Sequence, residues 1–480
     1  MLLLLWISEA GSAQQIRFRN VLGNTGYDYG MSAQQTFDNG YIVCGSTTSV
    51  GNGNTDIYII KTDSLGKPVN ERSLGGIYVE RGTCIRQTAD SGYVVLGYSN
   101  DAGTGYDIVT IKLNNKLDVQ WRKKYGGNDW DFGNCIRQTT DGGYIICGGT
   151  YSYGKGDEDY YVIKTNVQGD TLWTRTYGST AREEAKAIVQ TKDGGYILTG
   201  FGMANDSLGN FYTVKLNSTG DTLWTNTFGG TQLDLGNDVI EHQNGEYIVA
   251  GETRSFGAGK SDGILVEISP TGKSGKTFVL GGVNDDNFQS LSQRSDGKVM
   301  IAGITNSYGF INGKGDLYFA IMNPDWSYYM STTFGSNGKE TVNSVATTSD
   351  KGAILCGTTN GFRNLLDDIY LIKTDSLGYS SSTEVVLLTS IQEQSQKDVC
   401  FTTYPNPVHH TVYLQIQSPA KVAILELVDI TGRTIKQQKI SLSPSSILPL
   451  QVEDVDNGIY IIKLTTDRTS FSKKIMVKHE

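Results

Sequence analysis

The strongest constraint on this chain is a unit of about 50 residues that recurs along most of its length. Its anchor follows a turn at Tyr41, Tyr93, Tyr144, Tyr196, Tyr247, Val299 and Ala353, in steps of 52, 51, 52, 51, 52 and 54 residues. The unit is clearest between Asn128 and Gly178, where alternating apolar runs near 134–139, 144–150 and 159–165 are followed by a fourth near 171–177 led by Trp173. Runs of that length, bounded by Gly, Asp and Asn turn signals such as Asp141-Gly142-Gly143, read as four strands. Four strands in 50 residues cannot bury both faces of their sheet, and radial stacking of such sheets can. The expected fold is therefore all-β, a seven-bladed β-propeller over 16–378.

The two ends of the repeat region predict how the ring closes. The seventh unit stops after Asp375-Ser376-Leu377-Gly378 with no fourth strand, while Ile16 to Gly23 precedes the first full unit. Phe18 stands five residues before Gly23, as Trp121, Trp173 and Trp224 stand five before Gly126, Gly178 and Gly229. The N-terminal segment thus predicts the outer strand of the last blade, removing an edge that an open array would leave exposed. Units diverge locally, with Asn210, Lys276 and Met330 at otherwise regular positions. Any ligand site should accordingly sit on particular loops rather than evenly around the ring.

A formal charge of -9 with 41 Lys and Arg argues against nucleic acid or an anionic membrane as partner. Residues 1–13 read as a truncated secretory signal, an apolar run followed by Gly11, Ser12 and Ala13, and no later stretch is apolar enough to span a bilayer. Export would permit disulfides, yet Cys44, Cys147 and Cys356 share one repeat position and Cys84 and Cys135 another. We expect these five to be inert core thiols, because equivalent positions in different blades should lie too far apart to bridge. Cys400 is left unassigned.

Thirteen residues before each anchor stands an acid: Asp28, Glu80, Asp131, Glu183, Asp234, Asp286 and Glu340. A ring of acids could form an anionic mouth, but an acid in every unit favours a structural task, accepting backbone N–H bonds from turns. A second series, Asp56, Asp107, Asp159, Asp262, Asp316 and Asp368 with Asn210 in the fourth unit, fits Asx turns. The adjacent glycine-rich loops lack a complete calcium-hand pattern, which leaves calcium only as a stabilising ion and no other metal or cofactor expected. Aromatic residues beside polar acceptors on one rim suit a glycan or protein ligand, or else wedge between blades. The ligand-binding candidates are Trp130, Tyr151, Tyr153, Phe256 and Tyr308, with Phe132, Tyr29 and Phe310 on the same rim. With four His and no nucleophile elbow or phosphate loop, no catalytic residue is assigned. A polysaccharide-acting enzyme and a purely structural display protein stand as alternatives to a binding protein.

After a linker at 379–400 the repeat gives way to short strands with Gly and Asn turns over 401–480, the pattern of a small β-sandwich. Here Tyr404-Pro405-Asn406-Pro407, Asp429-Ile430-Thr431-Gly432-Arg433, Asn457-Gly458-Ile459-Tyr460 and Lys473-Lys474-Ile475-Met476-Val477 occur in order. The segment resembles the type A C-terminal sorting domain of the type IX secretion system of Bacteroidota. That resemblance implies an immunoglobulin-like domain, handling by the type IX machinery, passage through the periplasm, and release or attachment at the outer cell surface. The repeats resemble, less specifically, secreted bacterial propeller repeats, a group that fixes no activity.

Overall fold

A computed structural model describes residues 15–51, 54–100, 105–203, 208–309, 314–362, 366–388, 401–405, 407–416, 422–429, 433–441, 447–465 and 470–479. The signal-like segment at 1–13, Phe310, Cys400, Asn406 and Gly432 lie outside these residues. Two compact units divide the chain, 1–392 and 393–480.

The first unit is a β-propeller of seven sheets, antiparallel except for one strand pair in the seventh, and no helix occurs among the described residues. Blade 3 is typical, with strands Asp131–Gln138, Tyr144–Thr150, Asp159–Thr165 and Thr171–Tyr177 hydrogen-bonded in chain order. The first strands, Asp28–Gln35, Glu80–Gln87, Asp131–Gln138, Glu183–Gln190, Asp234–Glu241, Asp286–Gln293 and Glu340–Thr347, touch their neighbours around a closed ring. Each carries an irregularity between its third and fifth residues, as between Gly133 and Cys135. In four blades the extra residue bonds the backbone of the next blade. Thr83 donates to the Gly133 carbonyl at 2.7 Å, Asn134 to Ala185 at 2.8 Å, Asn237 to Phe288 at 2.9 Å and Asn343 to Gly30 at 2.7 Å.

The seventh blade takes strands from both ends of the unit. Phe18–Gly23 lies antiparallel to Asp368–Lys373, pairing Phe18 with Lys373 and Leu22 with Ile369. Phe18 also does what the outer-strand tryptophans do. Trp121, Trp173 and Trp224 sit 5.9, 6.2 and 5.9 Å from Tyr144, Tyr196 and Tyr247 of the following blade, and Phe18 sits 5.5 Å from Tyr41. Those four tyrosines are buried, so each anchor seals one blade against the previous one. One expectation needs correction, because Phe18–Gly23 is not the outermost strand. Glu384–Leu388, inside the stretch read as linker, runs parallel to it from Arg19 opposite Glu384 to Gly23 opposite Leu388. The physical reason is the open row of backbone groups that Phe18–Gly23 would otherwise present, which a short apolar run can cover.

Local ion pairs fix the turns. In blade 3, Lys164 is 4% exposed and reaches Asp141 at 2.8 Å, while Thr139 and the Gly143 N–H also donate to that carboxylate. Lys112 with Asp90, Lys215 with Asp193 and Lys373 with Asp350 repeat the arrangement. Partial burial opposes ionisation, but hydrogen bonds from lysine, threonine and glycine hold Asp90, Asp141 and Asp193 down at about 2.

Cys44, Cys84, Cys135, Cys147 and Cys356 are buried and unbridged. Burial pushes the Cys356 thiol up to about 12 and the Cys44 thiol well above its usual range. Neighbouring first strands touch around the ring, and there the Cys84 thiol turns to the Ile136 carbonyl at 3.8 Å and the Cys135 thiol to the Ile188 carbonyl at 3.7 Å, each in the next blade.

The second unit contains two sheets. One joins Phe401–Tyr404, Thr411–Ile416 and Ile447–Gln451; the other orders Thr434–Ser441, Val422–Asp429, Gly458–Thr465 and Ser470–Val477. Alternation along Gly458–Thr465 buries Tyr460, Ile462 and Leu464 in a core with Val412, Leu414, Leu427 and Ile475. The turn residues have local tasks. Arg433 bonds Asp429, the Tyr460 hydroxyl donates to the Asp456 carbonyl at 2.9 Å, and Asn457 accepts the His479 N–H at 2.6 Å.

Candidate functional site

The seven register acids begin the innermost strands and all are buried. Each accepts the N–H of the residue four positions earlier, at 2.8 to 3.2 Å: Asn24 to Asp28, Gly76 to Glu80, Gly127 to Asp131, Ser179 to Glu183, Gly230 to Asp234, Gly282 to Asp286 and Ser336 to Glu340. In six blades the same carboxylate also accepts a serine hydroxyl, from Ser49, Ser152, Ser255 or Ser307 of the second-to-third-strand loop or from Ser179 or Ser336 four residues before the acid. The acids therefore hold the loop between blades. Burial raises the Asp131 and Glu340 carboxyls against the pull of these bonds, with Asp107 and Asp316 adding to the rise. In the second series, Asp159 accepts two backbone N–H groups, from Lys155 and Gly156, and Asp262 accepts two from Ala258 and Gly259. Both are closed turns, and no cluster of three or more metal-ligating side chains occurs among the described residues.

Of the aromatic candidates, Tyr153, Phe256 and Tyr308 occupy one repeat position in blades 3, 5 and 6. Their backbone N–H groups donate to Thr150, Thr253 and Thr305. The Tyr153 hydroxyl crosses to the Gly126 carbonyl at 2.8 Å and the Tyr308 hydroxyl to Gly281 at 2.7 Å, while Phe256, without a hydroxyl, packs 5.6 Å from Phe228. They latch the loops to neighbouring outer strands and are not brought together.

Trp130 and Tyr151 are brought together, edge to face at 6.4 Å. Trp130 is 50% exposed and also meets Tyr106 at 5.9 Å and Phe132 at 6.1 Å, and Tyr98 closes the group 5.1 Å from Phe132. The Tyr151 hydroxyl donates to the buried Glu158 at 3.1 Å, and Arg182 bonds Glu158 at 2.7 Å. Burial raises the Glu158 carboxyl, helped by the nearby Glu184. Gly149 makes room, since a Cβ there would stand 2.1 Å from Oε1 of Glu158.

Tyr98 also belongs to a cavity of about 480 Å³ where blades 7, 1 and 2 meet. Its walls include Tyr29, Tyr98, Arg81, Lys339, Asn343 and Asp367. Burial raises the Tyr29 phenol, as do the charge and hydrogen bond of Asp367; burial raises that of Tyr98, which Arg81 opposes through its charge and a hydrogen bond. Cationic donors, an acid, an amide and two phenols thus line one pocket continuous with an aromatic cluster. Sequence reading missed Tyr98, Tyr106, Arg81, Lys339, Asn343 and Asp367. A signal existed: the residue after each register acid varies as Tyr29, Arg81, Phe132, Glu184, Leu235, Asn287 and Thr341 while the acid before it persists.

Comparison with known proteins adds two findings. Residues 402–478 match the family described as the secretion system C-terminal sorting domain. This segment is a type IX sorting domain and marks the chain for secretion. The chain is also similar to solved structures. The β-propeller domain of the Trilobed protease from Pyrococcus furiosus aligns at 8% identity, covering 75% of this chain and 98% of that one, with a TM-score of 0.43. YCF48 bound to D1 peptide aligns at 10%, covering 77% and 97%, with 0.44, and Sqt1 from Chaetomium thermophilum at 12%, covering 76% and 85%, with 0.44. Curated sequences returned no match.

Proposed function

We propose that this secreted propeller is a binding protein whose cavity at blades 7, 1 and 2, with the adjoining aromatic cluster, takes a glycan at the cell surface. The cavity carries the reading. Its volume of about 480 Å³ lies within the roughly 300–1,000 Å³ usual for small-ligand pockets. Sugar rings offer hydroxyls to groups such as Arg81, Asn343 and Asp367, and apolar C–H faces to aromatic rings such as Tyr98 and Trp130. The register acids and the Tyr153-type latches recur from blade to blade, whereas this mixture belongs to one sector of the ring. The sorting domain supports delivery to the outside, where the type IX machinery is its partner and attachment to the surface its outcome.

The test is a glycan array probed with the full chain and with Tyr98→Ala and Arg81→Ala. Specific binding that both substitutions weaken about tenfold, or ~1.4 kcal/mol each, is expected. No saccharide bound, together with capture of one envelope protein by the same sector, would replace the glycan reading with a protein ligand.

A further inference from the structure

The interior of the ring carries a charge pattern separate from the rim. Arg86 and Arg137 occupy the seventh position of the innermost strands of blades 2 and 3, where the other blades carry Gln, Val, Ile, Ser and Ala. Both side chains keep partial solvent exposure while enclosed by protein. Their acceptors are neutral. Arg86 Nη1 donates to Ser32 Oγ at 2.9 Å and the Ile85 carbonyl at 2.6 Å. Arg137 Nη1 donates to the Ile136 carbonyl at 3.0 Å and Cys84 Sγ at 3.6 Å. Among the described residues neither guanidinium has a carboxylate oxygen within 4.0 Å.

The acid whose charge acts on both is Asp238 of blade 5, 9% exposed, and its hydrogen bonds are already committed. It accepts the Val239 N–H at 2.9 Å, the Leu291 N–H at 2.8 Å and the Ser290 hydroxyl at 3.0 Å. Two enclosed cations therefore share the charge of one acid whose hydrogen bonds are made elsewhere, and Arg137 repels Arg86. Enclosed charges of one sign are costly unless a counter-charge joins them. Each guanidinium has five N–H donors, of which only those on Nη1 are engaged above, and its planar fork matches a planar oxyanion.

We infer that Arg86 and Arg137 form an anion site at the axis of the propeller, which takes a small planar oxyanion of the carboxylate type. Arg86, Arg137 and the Ser32 hydroxyl supply donors, and the surrounding first strands limit the size of the guest. The inference is independent of the rim reading, since the site needs neither Tyr98 nor Trp130.

The experiment uses the full chain and formate as probe. Thermal unfolding in sodium formate against sodium chloride, at equal ionic strength, should give a saturating rise in Tm of ~2 °C or more. That rise should vanish in R86Q and in R137Q, which keep side-chain amide donors without the charge. In parallel, the carbon-13 line of labelled formate should broaden with the wild-type protein and sharpen when unlabelled acetate is added. A rise in Tm that survives both substitutions, or no formate effect beyond chloride, overturns the site. If the variants fail to fold, an unbroadened formate line with wild-type protein overturns it as well.

Discussion

Replacing Leu22 by Ala probes the joint between the two ends of the propeller. Leu22 is 0% exposed, pairs with Ile369 and packs in one core with Phe18, Tyr41, Ile369 and Leu371. A Leu→Ala change in such a core removes transfer free energy and leaves a cavity, about 3–5 kcal/mol in all when neighbours cannot collapse. Ladder bonds on both sides of Phe18–Gly23 hold the strand in place, so the upper part of that range is expected. Leu223, 57% exposed on the outer strand of blade 4, is the control, and its change to Ala should cost within ~0.5 kcal/mol. Urea unfolding followed by tryptophan fluorescence measures both, with an unchanged slope required before midpoints are compared. Equal midpoints for Leu22→Ala and Leu223→Ala would refute the closure described here. Phe18→Ala should cost a similar ~3–5 kcal/mol, but the double change should not be additive because both residues fill the same core.

Acid sensitivity follows from the turn carboxylates. Asp90, Asp141 and Asp193 are held at about 2, below their usual range, so their stabilisation is present above pH ~4 and lost as pH falls toward 2. These carboxylates are more than half exposed, which screens the effect. Asp141→Asn should therefore flatten, not abolish, the fall in Tm between pH 4 and 2, and an unchanged curve would count against the pairing with Lys164. Arg17 reaches the fully buried Asp375 at 2.7 Å, so Arg17→Ala should cost ~1–3 kcal/mol by leaving a buried carboxylate with fewer partners, a loss that calorimetry at neutral pH can detect. Deleting 401–480 should leave propeller circular dichroism intact while stopping surface delivery, read by protease accessibility of whole cells. Trp130→Ala should weaken glycan binding roughly tenfold with Tm unchanged, whereas Tyr308→Ala should lower Tm and leave binding intact.

Much of the architecture was legible because one unit states its rules seven times. The spacing of Phe18 to Gly23 matched that of Trp121 to Gly126, and the structure places both aromatics against the next blade's anchor. The parallel strand Glu384–Leu388 was hidden because five residues between polar stretches carry no periodicity, and its partner lies at the other end of the unit. The cavity was hidden for a different reason. Arg81, Tyr98, Lys339 and Asp367 come from blades 2 and 7, and repeat alignment records each only as a departure from the common pattern. Trp130 and Tyr151 stood out by residue type, but so did Tyr153 and Tyr308, whose hydroxyls reach across blade boundaries. Exposure and composition alone could not separate the two groups.

The first described strand of the propeller in chain order completes its pairing only with the last. Phe18 and Ser380, whose hydroxyl donates to the Phe18 carbonyl, are separated by 362 positions, so the ring cannot seal until nearly the whole propeller has emerged. Until then, the third strand of the final blade has an open edge, and pairing over such a separation is slow to form. Once sealed, the seam is held on both sides of Phe18–Gly23, by Asp368–Lys373 antiparallel and Glu384–Leu388 parallel, so either end of the propeller can come loose only by giving up a full row of ladder bonds.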